Sequence, residues 1–345
     1  MNVYCAGYQA ISILHGGPNT QLRNTIKHLP SHGINAVLFD PWVPLKKEQC
    51  DLFHIFGANI GTYHLAREIH SLGIPLVVSP ITYSLHSSTF IKTILKTTDL
   101  LQKFGKGIWT DYSITADICT WAQKILPNTR AEADLIVNGL GIPEGNVTVI
   151  PNGVDERFYN ADPSVFKKKY GLEGFILNVG HIGHVRKNVL ALIKALGAID
   201  HPAVIIGRII RGAYGDACLR EASKYKHILL IDGLENDSEI LASAYAACDV
   251  FVLPSLFETP GIAALEAGLS GAKVVITKFG GAQEYFGSHA EYVDPHFVDS
   301  IRHGVLNALE KGNDGALREH IRKNYLWQHV AARTAAAYYS ILDRS

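Results

Sequence analysis

Val250-Phe251-Val252-Leu253-Pro254-Ser255-Leu256-Phe257-Glu258-Thr259-Pro260-Gly261-Ile262-Ala263-Ala264-Leu265-Glu266-Ala267-Gly268 runs from an apolar strand into a helical pattern. The β-branched start reads as a buried strand ending near Pro254. Thr259 offers an N-cap hydroxyl and Pro260 suits a first helical position, so a helix is predicted to begin there. Glu258 then sits just outside the helix mouth, at the carboxyl end of a strand, and Glu266 about two turns inside. In doubly wound sheets that edge is the ligand crevice, and a helix N-terminus presents free N–H groups and positive potential to a phosphate. The two glutamates can receive hydroxyl groups on either side of it. A blander alternative stays open: Glu258 serves the helix dipole and Glu266 is a solvated charge.

Working outward, the run Phe175 to Val179 is followed by Gly180-His181-Ile182-Gly183-His184-Val185-Arg186-Lys187-Asn188 and a helical pattern from Val189 to Leu196. This again sets glycines and cations at a strand end. Arg186 can fork onto two phosphate oxygens and Lys187 can act as a point charge, although such pairs also occur on plain solvated loops. His181 and His184 form an HxxH pair with no third ligand at metal spacing, so no metal site is read. Gly16-Gly17-Pro18, before a helical pattern from Asn19 to Leu29, permits close backbone approach early in the first βα unit. Gly33 is the predicted stop of that helix.

Further short apolar runs lie at residues 36–39, 52–56, 76–79, 147–150, 203–206, 227–231 and 273–277, alternating with amphipathic segments. Such alternation predicts parallel sheets wrapped by helices. Ile150-Pro151-Asn152-Gly153-Val154-Asp155 has strong turn chemistry near mid-chain and is the predicted domain boundary. At the far end, residues 317–342 read as one helix with Trp327, Val330, Thr334, Ala337, Tyr338 and Ile341 on one face.

A chain of 345 residues, 47% hydrophobic and 19% charged, fits two globular domains of about 150 residues each. The 32 basic residues balance the 32 acidic ones, which argues against nucleic acid as a partner. Cys5, Cys50, Cys119, Cys218 and Cys248 form no CxxC pair and suit a reduced cytoplasm. Neither a basic-then-apolar leader nor an apolar run of about 20 residues is visible, so a cytoplasmic location is expected.

Taken together, these stretches resemble glycosyltransferase family 4, retaining enzymes of the GT-B fold that use sugar nucleotides. The resemblance is carried by Gly16-Gly17, Pro127-Asn128-Thr129-Arg130-Ala131-Glu132, Pro151-Asn152-Gly153-Val154-Asp155, Arg186-Lys187-Asn188 and Gly280-Gly281-Ala282-Gln283-Glu284. Most specific are Glu258 and Glu266, separated by seven residues. It implies an α/β chain of two Rossmann-like, doubly wound domains facing a central cleft. Residues 1–155 would form the acceptor-side domain and 156–325 the sugar-nucleotide domain, with a helix in 326–345 packing back on the first. By the same resemblance Glu258 meets donor-sugar hydroxyls, Glu266 the ribose, and Arg186 and Lys187 the diphosphate. Gly17, Gly261 and Ile262 approach by backbone, with Thr259 another available amide, and Gly233-Leu234 lies near the base.

Three departures stand out. His181 occupies a place where many relatives carry arginine, Pro260 replaces an aromatic residue and supplies no N–H, and Val77-Val78-Ser79-Pro80-Ile81 lacks the usual histidine. His86 is the one nearby substitute, alternatively an ordinary loop residue. The implied activity is metal-independent hexosyl transfer, with retention, from a nucleoside-diphosphate sugar to a glycan or lipid-linked acceptor in surface polysaccharide synthesis, without a cofactor. A sugar-nucleotide epimerase of the same fold and a non-catalytic sugar-nucleotide-binding subunit are the competing readings. Lys92, Lys96 and Lys103 fall on one face of a helical segment from Phe90 to Phe104, with Ile91, Ile94 and Leu101 on the other. That pattern suits either peripheral contact with the inner membrane face or a core-packed helix with a solvated lysine face.

Overall fold

The computed structural model describes residues 1–11, 16–84, 86–105 and 107–342. They form two compact units. Met1–Gly153 and the chain from Trp327 make the first, and Val154–Leu326 the second.

The first unit holds a parallel sheet of β1 (Asn2–Gly7), β2 (Asn35–Leu38), β3 (Leu52–Phe56), β4 (Leu76–Ser79) and β5 (Lys124–Ile125) in the order β2-β1-β3-β4-β5. Its α-helices are α1 (Gly17–His28), α2 (Ile60–Ser71), α3 (Ser88–Phe104), α4 (Asp111–Trp121) and the short α5 (Arg130–Asp134). The second unit has β6 (Phe175–Val179), β7 (Ala203–Ile206), β8 (Ile228–Ile231), β9 (Cys248–Leu253), β10 (Lys273–Thr277) and β11 (Ala290–Val293) in the order β11-β10-β9-β6-β7-β8, also parallel. Around it lie α6 (Ser164–Tyr170), α7 (Val189–Leu196), α8 (Ala213–Ala222), α9 (Glu239–Ala247), α10 (Ile262–Ser270), α11 (Ala282–Phe286), α12 (Val298–Glu310) and α13 (Ala316–Tyr325). The last helix, α14 (Trp327–Leu342), belongs to the first unit.

Because helices cover both faces, central strands are apolar at successive positions and alternate residues feed different cores. Leu177, Phe251 and Ile276 enter one core of the second unit, while Ile176, Val252 and Val275 enter the other. The strand order places the topological switch of this sheet between β6 and β9. Ligands of doubly wound sheets bind beside the carboxyl ends of the two strands at such a point.

Three details of the sequence reading change. Residues 147–150 make only an isolated bridge from Val147 to Ile125, because β5 is two residues long and Pro127 has no N–H to extend the ladder. Strands β1, β5 and β11 form where no strand was predicted. The single helix expected over 317–342 is two, broken at Leu326. That residue is extended and bridges Val154, with Val154 N–H donating to Tyr325 O at 2.8 Å. Leu326 is buried in the core of the second unit and Trp327 in the core of the first, so the break is where the chain passes from one unit to the other.

The predicted face of the final helix is buried, and Tyr338 on it carries a polar tip. Its hydroxyl lies 2.5 Å from His54 Nδ1 on β3, whose Nε2 is 3.0 Å from Ser79 Oγ on β4. Burial pushes the His54 imidazole down from its ordinary 6.5 to about 3, so it stays neutral in the folded chain. Below pH 6.5 the unfolded chain takes up a proton that the folded chain refuses. Stability therefore falls as pH drops from about 6.5 towards 3, by about 2 kcal/mol between pH 7 and pH 5. Denaturant unfolding at the two pH values checks this: wild type should lose about that much more than His54→Gln.

Candidate active site

The site is built at the β6/β9 switch. After β6, residues Val185–Lys187 make one 3-10 turn, and Asn188 takes a left-handed conformation (φ 55°) that starts α7. Its amide nitrogen donates to Pro254 O (3.1 Å) and Pro295 O (2.7 Å), tying this loop to the segments that follow β9 and β11. Leu256 N–H donates to Arg186 O at 2.8 Å. The two switch-point loops are thus fastened to each other by backbone before any ligand arrives.

Glu258 is buried between them. Lys187 Nζ lies 2.6 Å from its Oε1 and Arg186 Nη1 3.2 Å from the same oxygen, while Arg186 Nη1 also donates to Phe257 O at 3.1 Å. Burial alone would raise the Glu258 pKa, but the two cations outweigh it and hold the carboxyl below its usual range. The predicted diphosphate cations therefore have a protein partner in this structure, and the trio keeps a net charge of +1.

The main chain of Glu258 is held as tightly as its carboxylate. Its N–H donates to Phe279 O (3.2 Å), and Gly281 N–H donates to its carbonyl (2.9 Å). This pairing with the Gly280 loop corrects the expected helix start. Thr259 is not the N-cap and Pro260 is not a helical residue. The chain stays extended at Glu258, a proline disfavours helical conformation in the residue before it, and the turn is made at Gly261, left-handed at φ 70°. Helix α10 starts at Ile262, and its first internal bond is donated by Ala264 to Gly261 O (2.8 Å). The amides of Gly261, Ile262 and Ala263 precede that bond and form the anion-attracting mouth.

Glu266 lies little more than one turn inside α10, not two, and is buried, which removes the reading of a solvated charge. Its Oε2 accepts the hydroxyl of Tyr245 on α9 at 2.8 Å. Burial raises its pKa to about 7. Sequence reasoning passed over Tyr245, although an aromatic residue with a polar tip in an apolar helix needs a partner when buried. It also passed over Arg157, whose guanidinium holds the backbone carbonyl and Oδ1 of Asn236. Asn236 shares the loop after β8 with Gly233, left-handed at φ 66°, and with Leu234, which packs against the core.

The remaining predicted residues are divided between the two units. Gly17 opens α1 of the first unit, behind Gly16 as N-cap. His86 Nδ1 is 2.8 Å from the Tyr112 hydroxyl, which lies 2.6 Å from Ser84 Oγ. His181 and His184 have lowered pKa values, through burial first and then the neighbouring cations, and among the described residues no group of side chains has metal-binding geometry. On α3, Ile91 is buried, Ile94 half-buried, and Lys92, Lys96 and Lys103 exposed. Leu101 is exposed and no residue of α3 beyond Thr98 is buried, so the core-packed alternative does not extend to the end of this helix. Phe104 is 85% exposed, with Leu100, Ile108 and Trp109 also open to solvent.

Comparison with known proteins gives the family and the fold. The family described as Glycosyl transferases group 1 matches residues 164–325, and Glycosyltransferase Family 4 matches residues 42–158. The chain belongs to the family 4 glycosyltransferases. An uncharacterised glycosyltransferase of Methanocaldococcus jannaschii is 28% identical over 83% of this chain and 72% of its own length. An Escherichia coli UDP-Gal:alpha-D-GlcNAc-diphosphoundecaprenol alpha-1,3-galactosyltransferase is 29% identical over 81% of this chain and 70% of its own. Among solved structures, Anabaena HepE in complex with UDP and glucose superposes with a TM-score of 0.73 at 16% identity, covering 98% of this chain and 99% of that one. The fold of this glycosyltransferase is GT-B. Its group 1 match spans the strand-turn-helix elements that carry Arg186, Lys187, Glu258 and Glu266.

The Glu258 backbone leaves no room at Gly280. An added Cβ there would lie 2.0 Å from Glu258 O, and the residue is left-handed at φ 98°. Gly280→Ala should displace Glu258 and cost more stability than Gly287→Ala, where φ is also positive (51°) but a Cβ meets nothing. Parallel thermal unfolding of the two variants makes the comparison.

Proposed function

We propose that this glycosyltransferase moves a hexosyl group, with retention, from a nucleoside-diphosphate sugar to an acceptor hydroxyl. The observation that carries the reading is the trio of Arg186, Lys187 and Glu258 beside the open mouth of α10. A departing diphosphate gains negative charge, and two cations plus a helix N-terminus are fixed where that charge would develop. Glu258, already polarised by the cations, presents its carboxylate to the hydroxyls of the transferred sugar. Gly261 and Ile262 give backbone amides, and Glu266 takes the ribose. Side chains supply the charge that a divalent ion would otherwise bring, so the reaction proceeds without a metal cofactor. The name of the Escherichia coli relative, with a UDP-linked donor and a diphosphoundecaprenol acceptor, supports a nucleotide-sugar donor and a lipid-linked acceptor in surface glycan synthesis.

The acceptor class gives the exposed end of α3 a role. No helix among the described residues is long and apolar enough to cross a membrane. Phe104, Leu100, Ile108 and Trp109, flanked by Lys92, Lys96 and Lys103, suit shallow contact with an anionic bilayer surface, apolar side chains entering the interface and lysines pairing with headgroups.

Two measurements test these statements. With the base-matched sugar nucleotide, Lys187→Ala and Arg186→Ala should each lower transfer by about 10²–10³, and wild-type transfer should persist in EDTA. Full activity in Lys187→Ala would remove the diphosphate assignment, and loss in EDTA the metal-free one. In vesicle flotation at low salt, anionic vesicles should carry the wild-type chain and release it at high salt. Phe104→Ser combined with Lys92→Gln, Lys96→Gln and Lys103→Gln should not float, and a wild-type chain that stays in solution would end the membrane assignment.

A further inference from the structure

The Glu266 carboxyl is held on one oxygen only. Oε2 accepts the Tyr245 hydroxyl at 2.8 Å, and no described residue donates to Oε1. Tyr245 is fully buried, and burial followed by the charge of Glu266 pushes its hydroxyl well above the ordinary value, so it keeps its proton and donates. Arg157, on the 3-10 turn Glu156–Phe158, acts on the Glu266 charge and holds Asn236 of the loop after β8.

The other charged or titratable groups around Glu266 leave this pair in control. Asp155, from the segment before Arg157, raises the proton affinity of Glu266, and the buried Cys248 thiol lies at the start of β9. Helix α13 brings Arg318, which donates to Leu269 O and the Tyr159 carbonyl, and His320, which is bonded to Tyr285 O. Lys273 of β10 donates to Leu309 O and Lys311 O.

Resting on the reading of Glu266 as the carboxylate that meets the donor ribose, we propose that Tyr245 is a positioning residue that aims Glu266 at the ribose diol and that, with Arg157, it keeps the carboxyl ionised, so that a single proton at Glu266 gates donor affinity. An ionised carboxylate accepts from both hydroxyls of a diol, and a protonated one surrenders an acceptor position to its own O–H. Burial works against the charged form, bringing Glu266 to about 7, while the Tyr245 hydrogen bond and the Arg157 charge oppose burial. Removing either partner moves the carboxyl further up. Near neutral pH the ionised fraction, and with it the affinity, then falls.

Calorimetric titration of the whole chain with UDP-glucose, GDP-mannose and ADP-glucose between pH 5.5 and 8.5 tests the proposal, because their diphosphates do not titrate in that range. For the sugar nucleotide that binds, wild-type affinity should rise through a midpoint near pH 7 and level off by pH 8.5. In Tyr245→Phe and Arg157→Gln the midpoint should move up, with affinity about fivefold lower at pH 7 and close to wild type at pH 8.5, the result of a pKa higher by about one. Glu266→Gln, and the 2′,3′-dideoxy form of the ligand on wild type, should lose the Glu266 step and leave only the background from His181 and His184. A Tyr245→Phe affinity lowered by the same factor at every pH, or a wild-type profile equal to that of Glu266→Gln, would overturn the gating role while leaving the donor reading standing. No binding of any of the three at any pH would overturn the donor reading, and the gating role with it.

Discussion

Glu258 is a carboxylate with almost no water around it, and its charge survives there because Lys187 and Arg186 reach it from the loop of the neighbouring strand. Leaving a buried ion without its partner typically costs about 3–5 kcal/mol, so the position of each of the three side chains constrains the others. The cations come from the turn after β6, the carboxylate from the segment after β9. Those strands, parallel to each other, are adjacent only because the order in which strands are added reverses between them. The ion trio and the strand order are therefore one fact seen at two scales: the topology brings opposite charges to the crevice, and their attraction closes the loops that form it.

Three left-handed residues make this closure possible. Asn188 turns α7 away so that its amide nitrogen can span the loops after β9 and β11. Gly261 reverses the chain after Pro260, and Gly280 lets the following strand's loop press against the carbonyl of Glu258. Asparagine is one of the few side-chain-bearing residues that tolerates such a conformation, and at Gly280 no Cβ would fit. Backbone constraints thus fix where the charges stand, and the site is largely arranged before a ligand binds.

Much of this was legible in the residues themselves. The parallel α/β class, the strand-Glu-helix segment at 250–268, the cation pair after Val179 and the buried face from Trp327 to Ile341 follow from patterns that burial and periodicity impose locally. The parts that were not legible depend on contacts distant in sequence. Thr259 has the right chemistry for an N-cap, but pairing of Glu258 with the Gly280 loop holds the chain extended past it. The pattern from 317 to 342 has a continuous helical period, yet Leu326 and Trp327 bury in different cores, and a helix cannot serve both without a break. β5 is too short to signal itself, and Tyr245 looks like any aromatic residue until Glu266 is seen opposite its hydroxyl.

The two glutamates show why spacing alone could not separate their roles. They lie eight positions apart on one turn and helix, and both are buried, so desolvation pushes both toward the neutral acid. What differs is the company each keeps. Two cations sit directly on Glu258 and carry it below the ordinary range, whereas Glu266 has one neutral hydroxyl in contact and one guanidinium acting on its charge, and is left near 7. Environments that push the proton affinities of neighbouring carboxyls apart give them different chemistry. The first is a fixed charge, locked to the cations that face the helix mouth. The second retains an equilibrium between two protonation states at neutral pH, and the residues that set this equilibrium, Tyr245 and Arg157, are the ones that join α9 and the β8 loop to the floor of the site.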